Sequence, residues 1–305
     1  MAGHDHAHHA GSSHQGRLSV ALGITLLVFV LQLIGAWLTG SLALLFDSAH
    51  VLTDAAGLAM ALLAARLMSR PASDRRTWGF ARAEVLAATV QAAVLLAVGL
   101  VVLVEGIGRL ISPTPIASTE MAVFGAIGLA GNIIALLVLA AGRNGNFNMR
   151  AAFLEVLNDA LGSLAVIAAA LVIGLTGWLQ ADAVVALLIG ALILPRTVRL
   201  LLETVSVLLE STPSGLDLAS VREHILQVPH VIAVHDLHAT QIASGLPVLT
   251  AHVVVDDGCF QDGHAPQMLD QLQQCVAGHF KVSIEHSTFQ LEPAGHTRHE
   301  HGVHS

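Results

Sequence analysis

Six stretches of the chain are apolar almost without interruption. Each is about as long as the roughly 20 residues that a helix needs to cross a bilayer. They run Leu18–Leu38, Ser41–Met68, Ala83–Ile111, Ser118–Ala141, Met149–Leu175 and Trp178–Leu202. The inner portions of the longer ones span, and their ends project into water. After Glu210 the pattern changes: Pro213 closes the last long run and the periodicity shortens. There the sequence predicts a helix over Leu216–Leu226, strands over Val231–Thr240 and Val248–Val255, a helix over His264–His279 and a strand over Ser283–Leu291. An α-β-β-α-β order suits a two-layer α+β domain of about eighty residues, large enough to fold alone. The expected organisation is a His-rich tail (1–16), an all-α six-helix transmembrane domain (17–208), a cytosolic α+β domain (209–292) and a second His-rich tail (293–305).

Composition narrows the class. Of 305 residues, 54% are hydrophobic and 12% charged, and the mean hydropathy is +0.70. That excludes an ordinary soluble globular protein and makes the lipid bilayer a partner of the chain. The formal net charge of −8 says little, because acids and bases are unevenly placed. On the six-span plan, Arg17, the arginines from Arg66 to Arg82, Arg143, Arg150, Arg196 and Arg199 fall on one side, and only Arg109 lies near a helix end on the other. The positive-inside rule then puts both termini in the cytoplasm. Cys259 and Cys275 form no CxxC motif and are read as reduced thiols. The first tail carries His4, His6, His8, His9 and His14 among Gly, Ser and Ala, and the last carries His296, His299, His301 and His304. Neither can build a core, so the first is expected to be disordered, and both suit loose metal capture. Nothing suggests a nucleic-acid partner.

Candidate chemistry sits inside two of the apolar runs. His50 and Asp54 stand four apart in the second, and Glu155 and Asp159 repeat that spacing in the fifth. Four residues are just over one helical turn, so each pair projects from one face. Two such faces turned together offer one imidazole and three carboxylates, enough to surround a divalent cation. Ionisable groups this deep in apolar sequence cost roughly 2.5–3.5 kcal/mol each on insertion scales and mark an ion or proton path. Three acids and one His cannot neutralise one another, whereas a doubly charged ion can. Asp47, three residues before His50, is a path or outer-shell candidate. Gln32, Gln91 and Asn132 read as interhelical hydrogen-bond partners, and Glu105 as a partner for Arg109 or a proton conductor. An intramembrane metalloprotease would need a motif such as HExxH, but His50 is followed by Val51 and no second His lies in any span.

Three runs carry a family resemblance: Ser41-Leu-Ala-Leu-Leu-Phe-Asp-Ser-Ala-His50-Val-Leu-Thr-Asp54, Arg75-Arg-Thr-Trp-Gly-Phe-Ala-Arg-Ala-Glu84 and Asn148-Met-Arg-Ala-Ala-Phe-Leu-Glu155-Val-Leu-Asn-Asp159. In order and spacing, from about Leu18 to Glu292, the chain resembles the cation diffusion facilitators. It is similar in particular to the bacterial zinc, cobalt and cadmium resistance exporters, which carry Glu where many zinc members have His. The resemblance implies a six-helix homodimeric antiporter in the bacterial inner membrane that exports Zn2+, and also Co2+ or Cd2+, against protons. It implies a metallochaperone-like, ferredoxin-like cytosolic domain, and no enzymatic activity or prosthetic group. By position, the implied transport ligands are His50, Asp54, Glu155 and Asp159. Those of a cytosolic site are His235, His252 and His286, with Glu292 joining them. Physically, the extra carboxylate at Glu155 hardens the site, which argues against strict zinc selectivity. A passive metal channel and a membrane metal sensor share these features without needing proton coupling, and stand as alternatives.

Overall fold

In a bilayer every backbone N–H and C=O must be satisfied within the segment, and a helix does this without outside help. Pro71, Pro113 and Pro115 fall in links between the apolar runs; Pro195 alone lies inside one, within the sixth helix, where it removes one backbone donor. A computed structural model describes residues 6–68, 72–140 and 147–296. Six long helices come first: α1 (His6–Thr39), α2 (Leu42–Met68), α3 (Ala81–Ile111), α4 (Ser118–Ala140), α5 (Phe147–Thr176) and α6 (Gln180–Leu208). Five are long and apolar enough to cross a membrane. The sixth, α2, is 27 residues long and has an apolar stretch at Leu42–Thr53 among its described residues. Helix α1 starts at His6, inside the tail that the sequence reads as disordered. A helix already nucleated by the span adds residues at its end at little cost, and Ala7 and Ala10 favour the addition. The tail residues His4, His299, His301 and His304 lie outside the described residues.

Two compact units divide the chain, Met1–Leu63 with Ala88–Leu201, and Ala64–Ala87 with Leu202–Ser305. In the first, α4 packs against both α1 and α5. Its core is built from Phe46, Leu44, Met121, Val166, Ala170 and Ala186, all at most 2% exposed. Leu27, Trp37, Val104, Leu137 and Leu192 instead leave large apolar side chains exposed, as a lipid-facing surface requires. The start of α2 is pinned from a distance in sequence. Asp182, the buried acid in the first turn of α6, accepts from the Ser41 hydroxyl and from the backbone N–H groups of Leu42 (2.8 Å) and Ala43 (3.1 Å). Such an acceptor satisfies donors that a helix N-terminus leaves over. Arg109 of α3 donates to the carbonyl of Gly40, at the turn just before, and to Glu105 at 3.1 Å.

The second unit holds α7 (Leu218–Leu226), β1 (Val231–Ala243), β2 (Leu246–Val255), a single 3-10 turn at Asp257–Phe260, α8 (Ala265–Gly278) and β3 (His286–Pro293). This is the expected α+β order, with the short turn added. Strand β2 is central, antiparallel to β1 and parallel to β3, which is reached by crossing over through α8. Gly245, at φ +73°, makes the tight β1–β2 turn. One sheet face packs Leu249, Val253 and Phe289 onto Val221 and Ile225 of α7 and Leu272 and Val276 of α8. Asp217 caps α7, accepting from Ala219 N and Ser220 N. Cys259 and Cys275 are free, and both are buried. The α2–α3 link belongs to this unit: Ala81 packs on Ile242 and Ala243, and the Trp78 ring meets His286 edge-on at 4.8 Å.

Candidate metal centre

Two antiparallel helices place the first candidate cluster. His50 of α2 and Asp159 of α5 approach to 3.9 Å, Nε2 to Oδ1, with the Asp159 side chain 2% exposed and that of His50 13%. One turn along the same seam, Asp47 lies against Gly162, so closely that a Cβ on the glycine would fall inside the carboxylate's van der Waals radius. Each step forward on α2 is thus matched by an equal step back on α5. Carried one turn the other way, this register sets position 54 opposite position 155 along the helices. Glu155 is half-buried. The Asp54 side chain lies outside the described residues.

Asp47 is tied to α1. Its carboxylate accepts from Gln32 Nε2 of α1 at 2.6 Å and is buried. Gln32 and Asn132 also donate to Ser163 Oγ, each at 3.4 Å. Gln91 donates to the Thr53 carbonyl. The polar residues inside the spans therefore act as interhelical links, and Glu105 meets Arg109 as expected. Asp182 escaped the sequence reading. Its one signal is an acid in the first turn of a spanning helix, and nothing local says that it serves α2 rather than α6.

A second cluster lies on the open face of the small sheet. His235 and His252 are cross-strand neighbours on β1 and β2, with their rings 5.1 Å apart. Glu292 of β3 comes between them, 2.7 Å from His252 Nδ1 and 3.3 Å from His235 Nε2. One ligand atom from each of the three falls within 4.8 Å of the others. Alternation along the strands explains the placement: Ala251, Val253 and Phe289 enter the core, so His252, Gln290 and Glu292 point the other way. Gln290 donates to Glu292 at 2.8 Å, which steadies a carboxylate only 1% exposed. His286 is not brought to this group. It begins β3, six residues before Glu292, about 20 Å away along an extended strand, and packs on Trp78 instead.

Apolar helices that bring His50 up to Asp159, joined to a small α+β domain with its own His/Glu cluster, define a multi-pass membrane transporter of metal cations. The family model of the cation efflux transmembrane domain matches residues 18–209, and that of the cation efflux protein cytoplasmic domain matches 213–294. The chain belongs to the cation efflux family. The metal cation efflux system protein CzcD of Cupriavidus metallidurans is 42% identical over 293 residues, 96% of this chain and 90% of that protein. The zinc transporter ZitB of Escherichia coli is 36% identical, over 97% of this chain and 99% of that one. A cadmium, cobalt and zinc/H(+)-K(+) antiporter of Bacillus velezensis is 33% identical, over 96% and 93%. Among solved structures, the metal-bound C-terminal domain of the CzcD transporter is 39% identical over 25% of this chain and 99% of that chain, with a TM-score of 0.22.

Proposed function

We propose that the chain exports divalent cations from the cytoplasm in exchange for protons, by alternating access around His50, Asp54, Glu155 and Asp159. Zn2+ is the principal cargo, with Co2+ and Cd2+ also accepted. The names of the relatives from C. metallidurans, E. coli and B. velezensis support that range. The observation that carries the reading is the buried approach of His50 to Asp159 between two apolar helices. In a tetrahedral site with bonds of about 2.0–2.1 Å, two ligand atoms stand roughly 3.3–3.4 Å apart. The observed 3.9 Å is about half an ångström wider, so a small inward movement closes the pair on zinc.

The exchange follows from charge. Three carboxylates in a low-dielectric place repel one another, and an empty site takes up protons to relieve this. Metal from the cytoplasm displaces them, because ligands bind deprotonated. When the helices rock outward, protons return, weaken the ligands and release the ion. The chain works as a homodimer in a bacterial inner membrane, both termini cytoplasmic, an orientation that the basic residues from Arg75 to Arg82 and at Arg196 and Arg199 support. The cytosolic cluster of His235, His252 and Glu292 binds metal from the cytoplasm and adjusts the dimer. Zinc added to acid-loaded everted vesicles should release protons with the wild-type chain and not with Asp54→Ala or Asp159→Ala. Release that survives either change would overturn the site.

A further inference from the structure

One helical turn from the His50–Asp159 pair, a polar layer joins four helices. Gln32 of α1 donates to Asp47 Oδ2 of α2 at 2.6 Å and to Ser163 Oγ of α5 at 3.4 Å. Asn132 of α4 donates to the same Ser163 oxygen at 3.4 Å, so the Gln32 amide bridges Asp47 and Ser163. All four residues are at most 2% exposed. Asp47 precedes His50 by three residues and Ser163 follows Asp159 by four, so layer and pair share the α2–α5 seam. Two glycines make the room. A Cβ on Gly128 would stand 2.6 Å from Gln32 Nε2, and one on Gly162 would collide with Asp47 Oδ1.

We propose that Asp47 is a positioning residue which, held by the Gln32 amide that also bonds Ser163 and by the opening at Gly162, sets the α2–α5 register and with it the size of cation that the transport site accepts. This rests on the transport site proposed above. Its physical content is the half ångström between the present gap and an ideal zinc edge. Hydrogen bonds in a low-dielectric interior are hard to give up, and a close-packed seam passes a displacement on rather than absorbing it. Pushing α2 off α5 at residue 162 opens the cage one turn away. A wider cage favours Cd2+, which forms longer bonds than Zn2+ or Co2+. Because Asp47 accepts from the neutral Gln32 amide, its task is to hold, not to bind.

The test compares Cd2+ and Zn2+ uptake into everted vesicles carrying the wild type, Gly162→Ala, Asp47→Asn or Ser163→Ala, each checked for folding by gel filtration in detergent. The cadmium-to-zinc ratio should rise, by about two- to thirty-fold, the span expected of changes that act on a site through packing. Gly162→Ala should give the largest rise. If it does not fold, the other two variants give the same readout. Folded variants that keep the wild-type ratio, or lose both metals equally, overturn the proposal, because a merely structural link would do that. Asp159→Ala is the control for the site itself. Should it still transport, the site reading falls, whatever the ratios show.

Discussion

Replacing Glu292 by Gln gives the sharpest test of the cytosolic cluster. The carboxylate is 1% exposed and lies 2.7 Å and 3.3 Å from two imidazole nitrogens. Glutamine keeps its shape and removes its charge. The fragment 209–296 contains the whole core around Leu249, Leu272 and Val276 and is large enough to fold alone. Zinc at about 100 times its dissociation constant should stabilise it by about 2.7 kcal/mol. In a domain of this size, 1 kcal/mol moves the melting temperature by about 4–8 °C, so zinc should raise it by roughly 11–22 °C. Even support residues around a metal contribute ten- to hundred-fold in affinity. At the same free zinc, a loss of that size leaves the variant only about 0.4–1.4 kcal/mol of stabilisation. Circular dichroism melts with zinc and with a chelator measure the shift, and comparing shifts cancels any change in the metal-free domain. An equal zinc shift in both proteins, or none in the wild type, would refute the assignment.

Other outcomes follow from the same geometry. Glu155→His should narrow transport toward zinc, since it exchanges a hard oxygen for an imidazole; an unchanged cobalt-to-zinc ratio in vesicle uptake would count against a selectivity role. Asp182→Ala strands the Ser41 hydroxyl and two backbone donors at the start of α2. Each buried donor left unmade costs about 1–3 kcal/mol, so the protein in detergent should melt well below wild type, and an unchanged melt would contradict the pin. The Asp217 carboxyl is held below the usual carboxylate range, first by the Ser220 hydroxyl and then by the Ala219 N–H. A folded pKa lower than the unfolded one gives stability that is complete above the unfolded value and is lost as pH falls through the folded one. The wild-type fragment's advantage over Asp217→Ala should therefore shrink below about pH 4, and an advantage constant to pH 2 would refute this.

Much of this was legible in the sequence, for reasons that differ along the chain. The spans declared themselves because nothing but a helix suits a long apolar run in lipid, and α4 and α5 end within two residues of where the pattern placed them. The strands showed as short β-branched runs, although β1 continues to Ala243, three residues past the expected end. Spacing alone could pair His50 with Asp54 and Glu155 with Asp159, because i and i+4 share a face. What it could not supply was the register between helices distant in the chain, which depends on Asp47 meeting Gly162. Asp182 was illegible for the same reason, since its partners lie some 140 residues away. His286 stands apart from His235, His252 and Glu292 because a strand separates residues that a list of histidines puts together. Its neighbour Trp78 comes from a link whose position no local pattern encodes.

In the proposed exchange a hydrogen-ion gradient drives metal through the cage around His50 and Asp159. Everted vesicles holding the wild-type chain, given radioactive zinc under imposed pH gradients of either sign, test it most directly. Zinc should accumulate when the lumen is acidic, stop when an ionophore abolishes the gradient and leave preloaded vesicles when the gradient is inverted. Zinc that merely equilibrates at the same rate under all three conditions would contradict the account and mark the protein as a passive pore.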